Sequence, residues 1–212
     1  MKKTGLLFLS LLFYTLTGFG ISLTIAANVG VSSFNALNLS LAGLFAVKMG
    51  TMTTIVNLCF LMLYIYLTKA KKPLAYLIQA IAVLSLGFVI NFFTYQVFDA
   101  IQITHYASKL GLFMLGSIVA GVGTGMVLNL KTLAFPIESV CVEISNKHPI
   151  PFAKLRYGID IFSVTISIII SVASSLPFVV REGTIISLVL LTFTISLTKK
   201  AFEAFIVKKN GL

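Results

Sequence analysis

The sequence predicts an all-α polytopic membrane protein: six transmembrane helices arranged as two inverted three-span repeats, each carrying a short re-entrant or interfacial helix. Three observations support that expectation. The 212 residues are 58% hydrophobic and only 10% charged, with a mean hydropathy of +1.04, a balance that would leave a water-soluble domain of this size covered in apolar surface. Apolar stretches about 20 residues long recur along the chain, matching the length a helix needs to cross a hydrocarbon layer of roughly 30 Å. Polar residues within those stretches repeat at one fixed spacing.

The first element, residues 5–27, follows two lysines and ends at Ala26 and Ala27, which gives it the look of a secretory signal. Its apolar stretch is too long for a typical signal core and further spans follow, so it reads as the first membrane helix. Residues 50–68, 74–97, 109–129, 156–176 and 178–198 supply five more spans. Two segments remain, "SSFNALNLSLAGLFAV" at 32–47 and "FPIESVCVEISNK" at 135–147. Both are too short or too polar to cross a bilayer comfortably.

Orientation follows from the basic residues, because lysine and arginine near span ends collect on the cytoplasmic side. With both termini inside, 13 of the 16 fall there: Lys2, Lys3, Lys69, Lys71, Lys72, Lys131, Lys147, Lys154, Arg156, Lys199, Lys200, Lys208 and Lys209. Only Lys48, Lys109 and Arg181 face out. The bias holds only if each leftover segment enters and leaves the membrane on the same side. A multi-pass protein of the bacterial plasma membrane is expected, as a single membrane domain over 1–212.

The order span, short segment, span, span occurs twice, in 1–108 and 109–212. A shift of 103 residues aligns Gly18 and Gly20 with Gly121 and Gly123, Ser33-Phe34-Asn35 with Pro136-Ile137-Glu138, Asn57 with Asp160, and Gln79 with Glu182. In three successive elements an amide of the first half meets a carboxylate of the second. Three crossings per repeat is an odd number, so the second half lies upside down relative to the first. Inverted repeats are a recurrent transporter architecture, with substrate sites near mid-membrane where interrupted helices meet.

Asn35, Asn57, Gln79, Glu138, Asp160 and Glu182 are accordingly the candidate residues of a substrate or ion cavity. Ionised carboxylates at membrane depth are costly and face water or a partner. Pro136 suits the first turn of a helix, placing Glu138 near its N-terminus. Glu143, about 140° away around that helix, does another job. Ordinary structural roles compete: Asp160 is four residues from Arg156, Glu182 adjoins Arg181, and Lys131 or Lys154 could neutralise Glu138. Gly18, Gly20, Gly121 and Gly123 are expected to let helices pack closely, with the crossing of the first and fourth spans as a hinge. The tyrosines Tyr14, Tyr64, Tyr66 and Tyr95 read as core residues or interfacial anchors.

Several functional classes are disfavoured. The formal charge of +10 sits at span ends, where lipid headgroups and topology account for it better than nucleic acid. Two cysteines and two histidines do not make a closed metal site. Cys59 and Cys141 read as apolar fillers, His105 and His148 as solvated loop residues. No P-loop, nucleophile elbow or HExxH motif occurs, so neither cofactor, metal nor enzymatic activity is expected.

The stretch "TGFGISLTIAANVGVSSFNAL", a glycine-rich span running into a short segment, resembles the YczE/YyaS/YitT group of bacterial membrane proteins, as does "REGT" at 181–184. In that group the short segment typically begins with a small residue or proline, then an aromatic and an acid. Ser33-Phe34-Asn35 and Pro136-Ile137-Glu138 fill the slot here, with Asn35 where the group often has aspartate and no tryptophan anywhere. Lacking the soluble C-terminal extension of some YitT-like members, the chain is closer to the YczE-like branch. The resemblance implies a polytopic plasma-membrane protein, usually presumed a transporter, and supplies no substrate.

The leading expectation is a secondary transporter, exporter or facilitator, for a small polar or cationic solute. Membrane lipid is the surrounding partner and a homodimer is compatible with the sequence. The alternatives are a substrate-binding membrane subunit that needs an energising partner, and a non-transporting membrane scaffold.

Overall fold

A computed structural model describes residues 3–100 and 103–209. Lys2 of the basic-residue pattern lies outside the described residues, as do the side chains of Lys3, Lys208 and Lys209. Eight α-helices are found among the described residues: α1 (Lys3–Ala27), α2 (Ser33–Leu44), α3 (Met49–Leu67), α4 (Pro73–Phe92), α5 (Tyr106–Leu130), α6 (Pro136–Lys147), α7 (Phe152–Ala173) and α8 (Glu182–Lys209). Six of them, all but α2 and α6, are long and apolar enough to cross a membrane. At 12 residues each, α2 and α6 are only about 18 Å long, well short of the hydrocarbon thickness.

The span expected at 74–97 ends at Val97 but in an unexpected turn, and two other spans start about four residues from their expected positions. α4 continues into a π-helical turn, Phe93–Val97, whose far side is tied to the start of α3. There the Met49 N–H donates to the Tyr95 hydroxyl at 3.1 Å, and the Gly50 N–H to Asn91 Oδ1 at 2.9 Å. Two of the N–H groups that open α3 without helical partners are thereby satisfied by side chains of a neighbouring helix. α7 begins at Phe152 rather than 156, directly after Pro151, whose extended backbone forms the N-cap. α8 begins at Glu182 rather than 178. Its first turn is held by Gly183 N–H donating to the Val29 carbonyl at 2.8 Å and by Arg181 donating to the Asn28 carbonyl at 3.0 Å.

α1 runs along α5 in the most extensive interface of the bundle and also packs on α4; α5 packs on α8. Glycine makes the α1–α5 approach feasible. A Cβ at Gly20 would lie 2.4 Å from the Ala120 nitrogen, and one at Gly123 2.8 Å from the Phe13 oxygen. With lipid outside, close van der Waals contact between backbones is what holds such helices together. Gly18 meets α4, at the side chains of Leu86 and Val89, and Gly121 meets α8, at Thr194.

The short helices are woven between the halves. α2 packs on α7 and α3, and α6 packs on α3 and α7. The Ser40 and Ser167 hydroxyls are hydrogen-bonded at 2.7 Å across the α2–α7 contact. Lys147, in the last turn of α6, reaches the Leu67 carbonyl at the end of α3. It also pairs with Glu143 at 3.1 Å, which separates Glu143 from the role of Glu138. Tyr14 is fully buried and stacks on Phe135 with centroids 4.3 Å apart, joining α1 to the residue that precedes α6.

Candidate functional site

The starts of α2 and α6 open onto one cavity of about 380 Å³. Ser32, Ser33, Phe34 and Asn35 reach it from the first, and Phe135, Ile137 and Glu138 from the second. Asn35 and Glu138 each occupy the third residue of their helix. That turn carries backbone N–H groups without helical acceptors and the positive end of the helix dipole. A carboxylate there is favourably placed, and Glu138 supplies it on α6; the first turn of α2 has no acid.

α3 and α7 bring the remaining polar groups. Thr53 and Asn57 line the cavity from α3, Arg156 and Asp160 from α7. In each pair four residues separate the groups, slightly more than one turn, so both point the same way. The Arg156 guanidinium lies between the two acids: Nη1 is 2.8 Å from Asp160 Oδ1 and Nε is 3.7 Å from Glu138 Oε1. Glu138 therefore has Arg156 as its counter-charge, rather than Lys131 or Lys154. The three side chains keep 17–28% of their surface exposed. Two carboxylates share one cation.

Among the described residues, three that line the cavity each hold a buried polar atom without a hydrogen-bond partner: Glu138 Oε2, Thr53 Oγ1 and Ser117 Oγ of α5. Buried polar atoms are nearly always hydrogen-bonded, so an unsatisfied group beside a cavity is one that a small rearrangement could offer to water or a solute. Asn57 is partly committed, its Nδ2 donating to the Thr53 carbonyl at 2.8 Å. The rest of the wall is largely apolar, with Ile21, Leu86, Ala120, Leu128, Leu191 and Ile195 contributing. An apolar pocket with a few convergent polar groups is the usual form of a small-molecule site.

Of the six candidate cavity residues, Asn35, Asn57, Glu138 and Asp160 come together, whereas Gln79 and Glu182 stand apart. Gln79 is buried on α4 and donates from Nε2 to Ser139 Oγ at 3.0 Å, so it holds α4 to α6. Glu182, at the start of α8, accepts from the Tyr106 hydroxyl at 3.1 Å and from Arg181 at 3.3 Å. Arg156 enters the sequence expectation only as a competing partner, and Thr53 does not enter it. Both were detectable, because the same 103-residue shift sets Thr53 on Arg156. The second half thus carries a charged group at each of three positions where the first half is neutral: 35 and 138, 53 and 156, 57 and 160. Among the described residues, no three His, Cys, Asp or Glu side chains converge as a metal would require.

Comparison with known proteins adds a relative and a family. The chain is 30% identical over 152 residues, 71% of its length, to the uncharacterized protein YyaS of Bacillus subtilis (strain 168), of which the match covers 70%. No solved structure matches it. Residues 1–200 match the pattern described as "Family of unknown function (DUF6198)", and the chain, with its six apolar helices and YyaS-like sequence, belongs to that family.

Proposed function

We propose that the protein is a secondary transporter of the plasma membrane, an exporter or facilitator that moves a small polar or cationic solute through the cavity between two inverted three-span halves. The observation that carries this reading is the convergence of three register-related pairs, Asn35 with Glu138, Thr53 with Arg156 and Asn57 with Asp160, on one cavity. Residues 103 apart in sequence serve one site from opposite halves, which is how a site at a repeat interface is built.

The packing supports an inverted relation between 1–108 and 109–212. A Cβ on Gly20 would strike Gly116 and Ala120, and one on Gly123 would strike Phe13 and Thr17. Shifting the first set of contacts by 103 residues yields the second. Reciprocity of this kind is the mark of a two-fold relation, in which residue i meets j and the equivalent of i meets the equivalent of j. Likewise α2 packs on α7 as α6 packs on α3, and α1 on α4 as α5 on α8. Six spans with both termini cytoplasmic complete the arrangement. The α1–α5 crossing, free of bulky side chains at its closest points, is the hinge about which the halves rock.

The test is a comparison of solutes inside and outside cells that overproduce the parent protein or Glu138→Gln at matched membrane levels. Transport predicts a solute gradient that the parent changes and the variant leaves alone. Identical profiles for parent, variant and empty cells would sink the reading and favour a membrane scaffold. Activity that appears only with a co-expressed energising subunit would favour the substrate-binding subunit instead.

A further inference from the structure

The two halves differ at one interface. In the first, α3 and α4 are zipped together: a Cβ on Gly50 would lie 2.1 Å from the Gly87 oxygen, and one on Gly87 1.9 Å from Thr54 Oγ1. Only glycine fits at either position, and the Gly50 N–H to Asn91 bond locks the contact. The residues 103 further on are Ala153, Leu190, Tyr157 and Thr194. Side chains as large as leucine and tyrosine forbid that backbone approach. Correspondingly, α7 and α8 share no interface of the extent seen between α3 and α4. They are also the least covered spans, with 17% and 11% of their apolar windows buried against 33–44% for the other four.

Both helices nevertheless line the cavity, α7 through Arg156, Tyr157 and Asp160, and α8 through Leu188 and Leu191. Tyr157 and Leu188 are at the same time 64% and 47% exposed. Leu188, in the second turn of α8, therefore presents surface both to the cavity and to the outside of the bundle. The cavity is therefore lined on this side by two helices that do not pack closely on each other.

We infer that the gap between α7 and α8 is a lateral portal through which an amphiphile bearing a protonated amine reaches the cavity from the bilayer. The head group is set by charge and hydrogen bonding. Two carboxylates face one guanidinium, and Glu138 Oε2 is a buried acceptor with no donor of its own; an ammonium offers N–H donors and the missing charge. The tail is set by Leu188 and Leu191, apolar residues of α8 that line the cavity, the first of them 47% exposed. This inference deepens the transport reading and rests on the same cavity, naming the chemistry of what it carries and the side from which it comes.

The chain has no tryptophan, so a single introduced one reports the cavity alone. Phe135→Trp places it in the wall beneath Glu138, and Leu191→Trp is a second reporter should the first fold poorly. In liposomes holding no other protein, 12-bromododecylammonium should quench either reporter saturably. Glu138→Gln in the same background should weaken that quenching about tenfold, equivalent to about 1.4 kcal/mol. The anionic 12-bromododecanoate should not saturate, and lipids brominated along their tails should quench more than aqueous acrylamide. Quenching by acrylamide alone would mean a cavity open to water and would overturn the portal. Resistance to every tail-borne bromine would overturn it too, including the case in which a second copy covers α7 and α8. If methylammonium raises the melting temperature of the parent but not of Glu138→Gln while the long-chain amine does nothing, the portal falls and the transport reading stands. If neither amine acts, the portal and the amine specificity fall, and the transport reading is decided by the solute comparison above.

Discussion

Arg156 and Asp160, one helical turn apart on α7, form an ion pair of 2.8 Å, and the same guanidinium is 3.7 Å from Glu138 on α6. The Arg156–Asp160 pair is therefore both a structural contact and part of the cavity wall. Glu138→Gln and Asp160→Asn should each leave a folded protein, because Arg156 keeps one acid. Removing the cation is different. Arg156→Met strands two neighbouring carboxylates, and should lower stability by about 1–3 kcal/mol, less than the 3–5 typical of fully buried pairs because the groups stay partly solvated. Adding Glu138→Gln to Arg156→Met should recover much of that loss. Thermal unfolding of the four variants in detergent checks this, and strictly additive losses would show that the two side chains do not interact.

The glycine contacts predict a graded series. At Gly20 an added methyl meets backbone atoms of Ala120, which cannot move without shifting α5. At Gly18 it meets the tips of Leu86 and Val89 at 3.1 Å, which can adjust by a few tenths of an ångström. Gly20→Ala and Gly123→Ala should each cost about 1–3 kcal/mol as overpacked contacts, and Gly18→Ala appreciably less. Melting temperatures ranked in the opposite order would contradict the α1–α5 approach described above.

Topology is open to a direct test. Reporters fused after Lys72 and Lys200 should read cytoplasmic, and one after Thr104 external, as the distribution of lysine and arginine requires. A cytoplasmic Thr104 would put α2 across the membrane and rule out the inverted relation we propose for the halves.

The six spans and both short helices were legible because hydropathy and length are local properties. Their ends were less so. The π turn at Phe93–Val97 depends on Tyr95 and Asn91 reaching the start of α3, a relation between elements about 40 residues apart that no local pattern carries. The site shows the same division. Asn35, Asn57, Glu138 and Asp160 were found from a shared register, but Gln79 and Glu182 obey that register equally well. Register fixes which positions are equivalent, whereas the face each residue turns toward depends on packing: Gln79 points to Ser139 on α6. Thr53 and Arg156 were passed over because a hydroxyl and a guanidinium do not look alike, although their positions do.

The final prediction concerns the unequal first turns of α2 and α6. Asn35 and Glu138 sit at the same place in their helices, and both line the cavity, but only α6 has an acid to meet its dipole. Asn35 is 9% exposed, so Asn35→Asp should be tolerated with little net change in stability, the helix N-terminus offsetting the cost of desolvation, and the added negative charge should tighten binding of an ammonium probe. The control lies three residues along the same helix. Asn38 is fully buried, and neither atom of its amide has a hydrogen-bond partner, so Asn38→Asp would put a charge where neither water nor a cation reaches it. That variant should lose several kcal/mol or fail to accumulate, since an unpaired buried carboxylate is far costlier than an amide. Expression, melting temperature and ammonium-dependent stabilisation of the two variants provide the comparison. If Asn35→Asp fails as Asn38→Asp does, Asn35 does not face a solvated cavity, and the first half contributes no binding group there.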